Sequence, residues 1–201
     1  NREMLRQYAK KAREAGFRGL FCQISDPVDH LARAVFLYSN QDETGAYDFA
    51  GLLPEQIQGF GLGVMNARAA YFAKRDPRLA SFLTEGRSFG PHGTGLFIAN
   101  SIDHYDDALS QELTQLTVTA NLKMRALGFK PYVAPAISSG ATQLLLTLRR
   151  SWHCSSVALG GIWFGVRYRL TAAGLEIETA SLPTPLFERL RETQTLLREI
   201  I

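Results

Sequence analysis

A chain of 201 residues, 46% hydrophobic and 20% charged, is long enough to bury one sizeable core, and that composition sets aside disordered, collagen-like and rod-like architectures. The formal net charge of +3 is spread along the chain rather than gathered into a block, so composition alone marks no polyanion-binding segment. The longest nearly apolar run, VALGGIWFGV, is about half of what a membrane helix needs.

The first seventeen residues, NREMLRQYAKKAREAGF, have the period of an amphipathic helix, with Met4, Leu5, Tyr8, Ala12 and Ala15 on one side and Gly16 as the stop. This stretch is basic and has no signal-peptide core, which makes a cytoplasmic location the expectation. GLFCQIS and ARAVFLYS follow as two short strand candidates, joined through DPVDHL, where Asp26-Pro27 marks a turn. Residues 40–53 form a polar, acidic loop. PEQIQGFGLGVMNARAAYFAKR opens on Pro54 and carries Ile57, Val64 and Tyr71 at helical spacing. Its glycines 59, 61 and 63 weaken a helix or mark a close backbone approach.

Asp76-Pro77 opens a short helix that runs to Leu83. The connection GRSFGPHGTG, residues 86–95, then leads into the buried-type strand TGLFIANS. Asp103 is the expected N-cap of a long helix over 104–127, with Leu109, Leu113, Leu116, Ala120, Met124 and Leu127 along one side.

The last third reads as antiparallel strands: ATQLLLTLRR, IWFGVRYRL and LEIETAS. A loop over Thr171–Gly174 sets Leu170 opposite Leu175, and so Arg169 opposite Glu176 and Arg167 opposite Glu178. Ile162, Phe164, Val166, Tyr168 and Ile177 then point inward. Thr184-Pro185 starts a final helix with Leu186, Leu190, Leu197 and Ile200 on one side. The expected fold is one α+β domain over residues 1–201, with a central, mainly antiparallel sheet packed against the long helix and flanked by the N- and C-terminal helices.

Several chemistries are worth weighing. Arginine supplies 17 of the 22 basic side chains, which suits carboxylate or phosphate recognition but is also what a GC-rich, bacterial-type genome would encode. Neither GxGxxG nor GxxxxGK[ST] is present, so no dinucleotide or P-loop signature supports a cofactor. Cys22, His92 and Asp107 supply the residue types of a cysteine hydrolase or transferase. Against that, Cys22 reads as a strand interior rather than a helix start, where a thiolate would be stabilised.

The acidic-histidine cluster DHYDD at 103–107 is accounted for by helix capping, and no metal is called for. Trp163, Arg167 and Arg169 share one face of a strand, as in single-stranded nucleic-acid binding, although an ordinary outer face salt-bridged by Glu176 and Glu178 is the better explanation. With no complete catalytic signature, the leading expectation is a non-enzymatic binding or assembly protein that contacts protein partners and self-associates. Its contact elements would be a flexible 86–95 arm (Arg87, Phe89, His92) and the terminal helix (Leu197, Ile200).

Overall fold

A computed structural model of the chain describes residues 1–128 and 134–199. The sheet is built around β6 (Ile162–Thr171), which pairs antiparallel with β5 (His153–Leu159) on one side and β7 (Gly174–Ile177) on the other. Beyond β5 lies β2 (Ile57–Gly59), antiparallel to it through the Gly59–Ser156 pair, and then β1 (Phe21–Gln23), parallel to β2. The order is β1-β2-β5-β6-β7, an α+β fold with a mainly antiparallel sheet. The β6–β7 register is the one the charges require: Leu170 faces Leu175, and Arg169 Nε lies 2.8 Å from the Glu176 carboxylate.

Both faces of β6 are covered. Ile162, Phe164, Val166 and Tyr168 lie in one apolar cluster with Leu197 of α6 (Thr184–Glu199). Trp163 faces the other way, into a cluster with Leu31 and Val35 of α2 (Val28–Ser39) and Leu5 and Ala9 of α1 (Arg2–Glu14). Its indole Nε1 donates to the Ile57 carbonyl at 2.7 Å. This corrects the nucleic-acid expectation, because a buried indole has no face to offer a base. The neighbouring Arg167 and Arg169 pair with Glu178 and Glu176 and lie over the ring of Trp152.

Two expected strands are helices. ARAVFLYS belongs to α2, whose buried Val28, Leu31, Ala32 and Val35 recur at steps of three and four rather than two. ATQLLLTL belongs to α5 (Ala134–Leu148). The glycine trio separates a strand from a helix: Gly59 ends β2, and α3 (Leu62–Ala73) starts after Gly61.

β3 (Arg87–Phe89) and β4 (Phe97–Ala99) form a separate two-stranded ribbon. The long helix α4 (Asp107–Ala126) buries Ser110, Leu113 and Thr117 and packs on β4 and α3, while Met124 and Leu127 are exposed. Its cap is Asp106, not Asp103: the Asp106 carboxylate accepts the Leu109 N–H at 2.9 Å. Among the described residues no helix is long and apolar enough to cross a membrane.

Candidate functional site

The parallel strands β1 and β2 end side by side and are followed by α2 and α3, so the turns 24–27 and 60–61 lie at the same edge of the sheet. Beyond the carboxyl ends of such strands is where α/β arrangements receive ligands. The segment that closes over this edge is the β3–β4 connection, and it is not a mobile arm. Gly90 N–H donates to the Gly165 carbonyl of β6 at 2.9 Å, Leu96 N–H to the Gly93 carbonyl at 3.0 Å, and the Thr193 hydroxyl of α6 to the Gly95 carbonyl at 3.0 Å. Gly90 and Gly95 sit at φ +84° and +93°, where a side chain would be strained, so here glycine fixes a shape instead of loosening one.

That shape places His92. Its backbone N–H donates to Asp29 Oδ2 at 3.1 Å, and its ring Nδ1 lies 3.1 Å from the Gly61 carbonyl. A carbonyl only accepts, so Nδ1 carries the hydrogen and Nε2 of the neutral ring keeps a lone pair. Gly61 permits the approach: a Cβ there would stand 2.8 Å from the Cβ of His92. Asp29 is 2% exposed and also accepts the Ser156 hydroxyl. Burial pushes its carboxyl up to about 6, against the lowering effect of those two hydrogen bonds.

From α3, Arg68 adds a half-buried cation. Burial lowers its pKa, and the nearby charge of Asp26 acts in the opposite sense. Its guanidinium donates to the Met65 sulfur at 3.7 Å and forms no ion pair among the described residues. A guanidinium held without a bonded carboxylate is prepared for an incoming one. Asp29, Gly61, Arg68 and Ser156 did not stand out in the sequence. The legible signals were the acidic turn DPVD and the spaced glycines, each of which had a simpler structural reading.

Other expected groupings are dispersed. Cys22 lies on β1 as an exposed residue whose thiol is pushed up by partial desolvation, and among the described residues its sulfur has a single hydrogen-bond partner, the Leu20 carbonyl at 4.0 Å. Asp107 is held by Arg189 at 2.7 Å and by the Tyr105 hydroxyl at 2.8 Å, which keep its carboxyl well below the usual range. Cys22, His92 and Asp107 make no hydrogen bonds to one another, so the cysteine-enzyme arrangement is not assembled. Arg87 is engaged by Glu178, Phe89 packs against β6 and α6 side chains, and Leu197 is 2% exposed inside the core. Ile200 lies outside the described residues. Among the described residues no three His, Cys, Asp or Glu side chains gather as metal ligands.

No protein-family model matches the sequence, and no curated protein matches it. Solved structures do. A lactate dehydrogenase, MGS-M5, from a Medee basin deep-sea metagenome library superposes with a TM-score of 0.76 at 18% identity, over 99% of this chain and 68% of its own. Malate dehydrogenase from Aeropyrum pernix gives 0.73 at 18% identity, over 100% and 67%. Malate dehydrogenase from Archaeoglobus fulgidus, in complex with NADH, gives 0.70 at 16% identity, over 99% and 66%.

This chain has their fold. It spans about two thirds of their length. The likeness overturns the expectation of a non-enzymatic assembly protein, since the architecture is one that oxidoreductases use, and the packed 86–95 segment removes the flexible arm on which that expectation stood.

Proposed function

We propose that this chain is the substrate-handling part of an oxidoreductase for small 2-hydroxy or 2-oxo acids. The observation that carries the proposal is His92: an imidazole fixed by its backbone and its Nδ1, with Nε2 unengaged among the described residues, at the carboxyl edge of the parallel strands. Lactate and malate, the compounds named for the structural neighbours, are 2-hydroxy acids. Oxidising such a compound takes a hydride from carbon and a proton from the hydroxyl. In this chain His92 Nε2 accepts that proton and returns it in the reverse direction, while Arg68 pairs with the substrate carboxylate.

One neighbour was solved with NADH. The described residues do not fit a dinucleotide by themselves. The turn after β1 is Ile24-Ser25-Asp26-Pro27, with a carboxylate and no glycine where a pyrophosphate would need backbone N–H groups. These residues therefore account for the proton and the carboxylate, not for the hydride.

The test is titration of the isotopically labelled chain with pyruvate and oxaloacetate, followed by NMR at the His92 ring and the Arg68 guanidinium. Both signals should move with one saturation curve, and Arg68→Gln should abolish the response. Acids that leave both groups unperturbed in large excess overturn the reading.

A further inference from the structure

A cavity lies away from His92, between β6 and α6. Alternation along β6 sends Ile162, Phe164 and Val166 to the α6 side, but α6 covers them incompletely. A space of about 460 Å³ remains, walled by those three side chains with Phe89, Leu182 and Leu190. That size falls within the range of small-molecule pockets, and the walls are mostly apolar, as such pockets are.

One end of the cavity is polar and positively charged. Arg87 and Arg167 share a single carboxylate, Glu178, which leaves the trio with a net charge of +1. Arg87 is fully engaged: Nε and Nη2 reach Glu178 at 2.6 and 3.0 Å, and Nη1 reaches the Gly86 carbonyl at 2.7 Å. Arg167 gives only Nη1 to Glu178, and among the described residues its Nε and Nη2 carry no hydrogen bond. The trio is well shielded, with side-chain exposures of 22%, 34% and 21% for Arg87, Arg167 and Glu178, so its excess charge is only partly screened by water.

We propose that this cavity binds a medium-chain monocarboxylate, with its carboxylate on the unused edge of Arg167 and its alkyl chain along Ile162, Phe164 and Val166. The charge sets the headgroup: an anion balances the trio, and a carboxylate accepts two parallel N–H bonds from a guanidinium. The concave, mostly apolar volume sets the tail at about ten carbons, a size for which a pocket of this volume leaves room. The proposal is independent of the reading of His92.

The test is calorimetric titration of the chain with hexanoate, octanoate and decanoate below their micelle thresholds, with decanol as the uncharged control. Affinity should rise about fourfold per methylene as the tail is buried. Decanoate should bind at a single site at least tenfold more tightly than decanol. Arg167→Gln should erase that preference, while His92→Gln should leave it intact. The acid-to-alcohol ratio on the unaltered chain stands even if the arginine variant folds poorly. Equal affinity for acid and alcohol overturns the proposal, as does the absence of decanoate binding. A free chain that is dimeric, takes up no decanoate and becomes monomeric when Phe187, an exposed side chain of α6 that lines the cavity, is changed (Phe187→Asp) assigns the groove to a second copy instead.

Discussion

Asp29 and His92, 63 residues apart, are joined by one hydrogen bond of 3.1 Å from the histidine backbone to a carboxylate that is 2% exposed. The bond holds the loop bearing the imidazole through an acid that the protein makes reluctant to ionise. Burial raises the Asp29 carboxyl from 3.8 to about 6. The folded state thus binds this proton more tightly than the unfolded chain does. The stabilisation is fully present below about pH 3.8 and is lost as pH rises through about 6, a difference on the order of 3 kcal/mol. Comparing denaturant unfolding of the parent chain and Asp29→Asn between pH 4 and 7 should show this component only in the parent. Parallel stability curves would contradict it.

Gly61→Ala should behave like removal of the imidazole. Its new Cβ would meet the Cβ of His92 at 2.8 Å and Val28 Cγ2 at 3.0 Å, so ring and loop must shift. A loss of about 1–3 kcal/mol is expected from the overpacking, together with loss of the NMR response of His92 to oxo acids. Gly140→Ala is the matched control. Among the described residues its Cβ would meet only Ile24 Cγ2, at an ordinary 3.5 Å, within helix α5, so stability should rise by up to about 1 kcal/mol.

Asp26 and Arg68 should act in opposite directions on acid binding. Asp26 supplies the carboxylate charge that Arg68 feels without forming an ion pair with it. Asp26→Asn should therefore tighten the affinity for pyruvate several-fold, and Arg68→Lys should weaken it by removing the two-pronged contact. Equal affinities in the two variants, measured by titration, would separate Arg68 from the carboxylate.

Thiol chemistry should be slow at both cysteines. Burial raises the Cys22 thiol and pushes that of Cys154 up to about 11. Iodoacetamide at neutral pH should modify Cys22 no faster than a free thiol and leave Cys154, 8% exposed, untouched until the chain unfolds. Rapid modification of Cys22 at pH 7 would show an activating group near its sulfur.

The β6–β7 hairpin was legible because a period of two and the facing charges Arg169–Glu176 and Arg167–Glu178 fix one register without help from the rest of the fold. α2 was not. ARAVFLYS is a short apolar run whose local pattern suits a strand or a helix, and the decision comes from contacts with α1, β2 and β6, all distant in sequence. α5 shows the same ambiguity in QLLLTL. At the candidate site, the sequence drew attention to His92 through the glycines around it. What it could not show was that those glycines create left-handed turns and close approaches that immobilise the loop. The partners Asp29, Gly61 and Ser156 come from three separate stretches, and only the meeting of β2, α2, β5 and the 90–96 connection brings them together.

Gly165 sits mid-strand in β6, where the carbonyl of Gly90 occupies the place that a side chain would need. The strand therefore serves as the anchorage of the loop that carries the His92 ring. Sheet and loop cannot come apart in sequence as the temperature rises: melting of the sheet and loss of the ring's placement should share one midpoint.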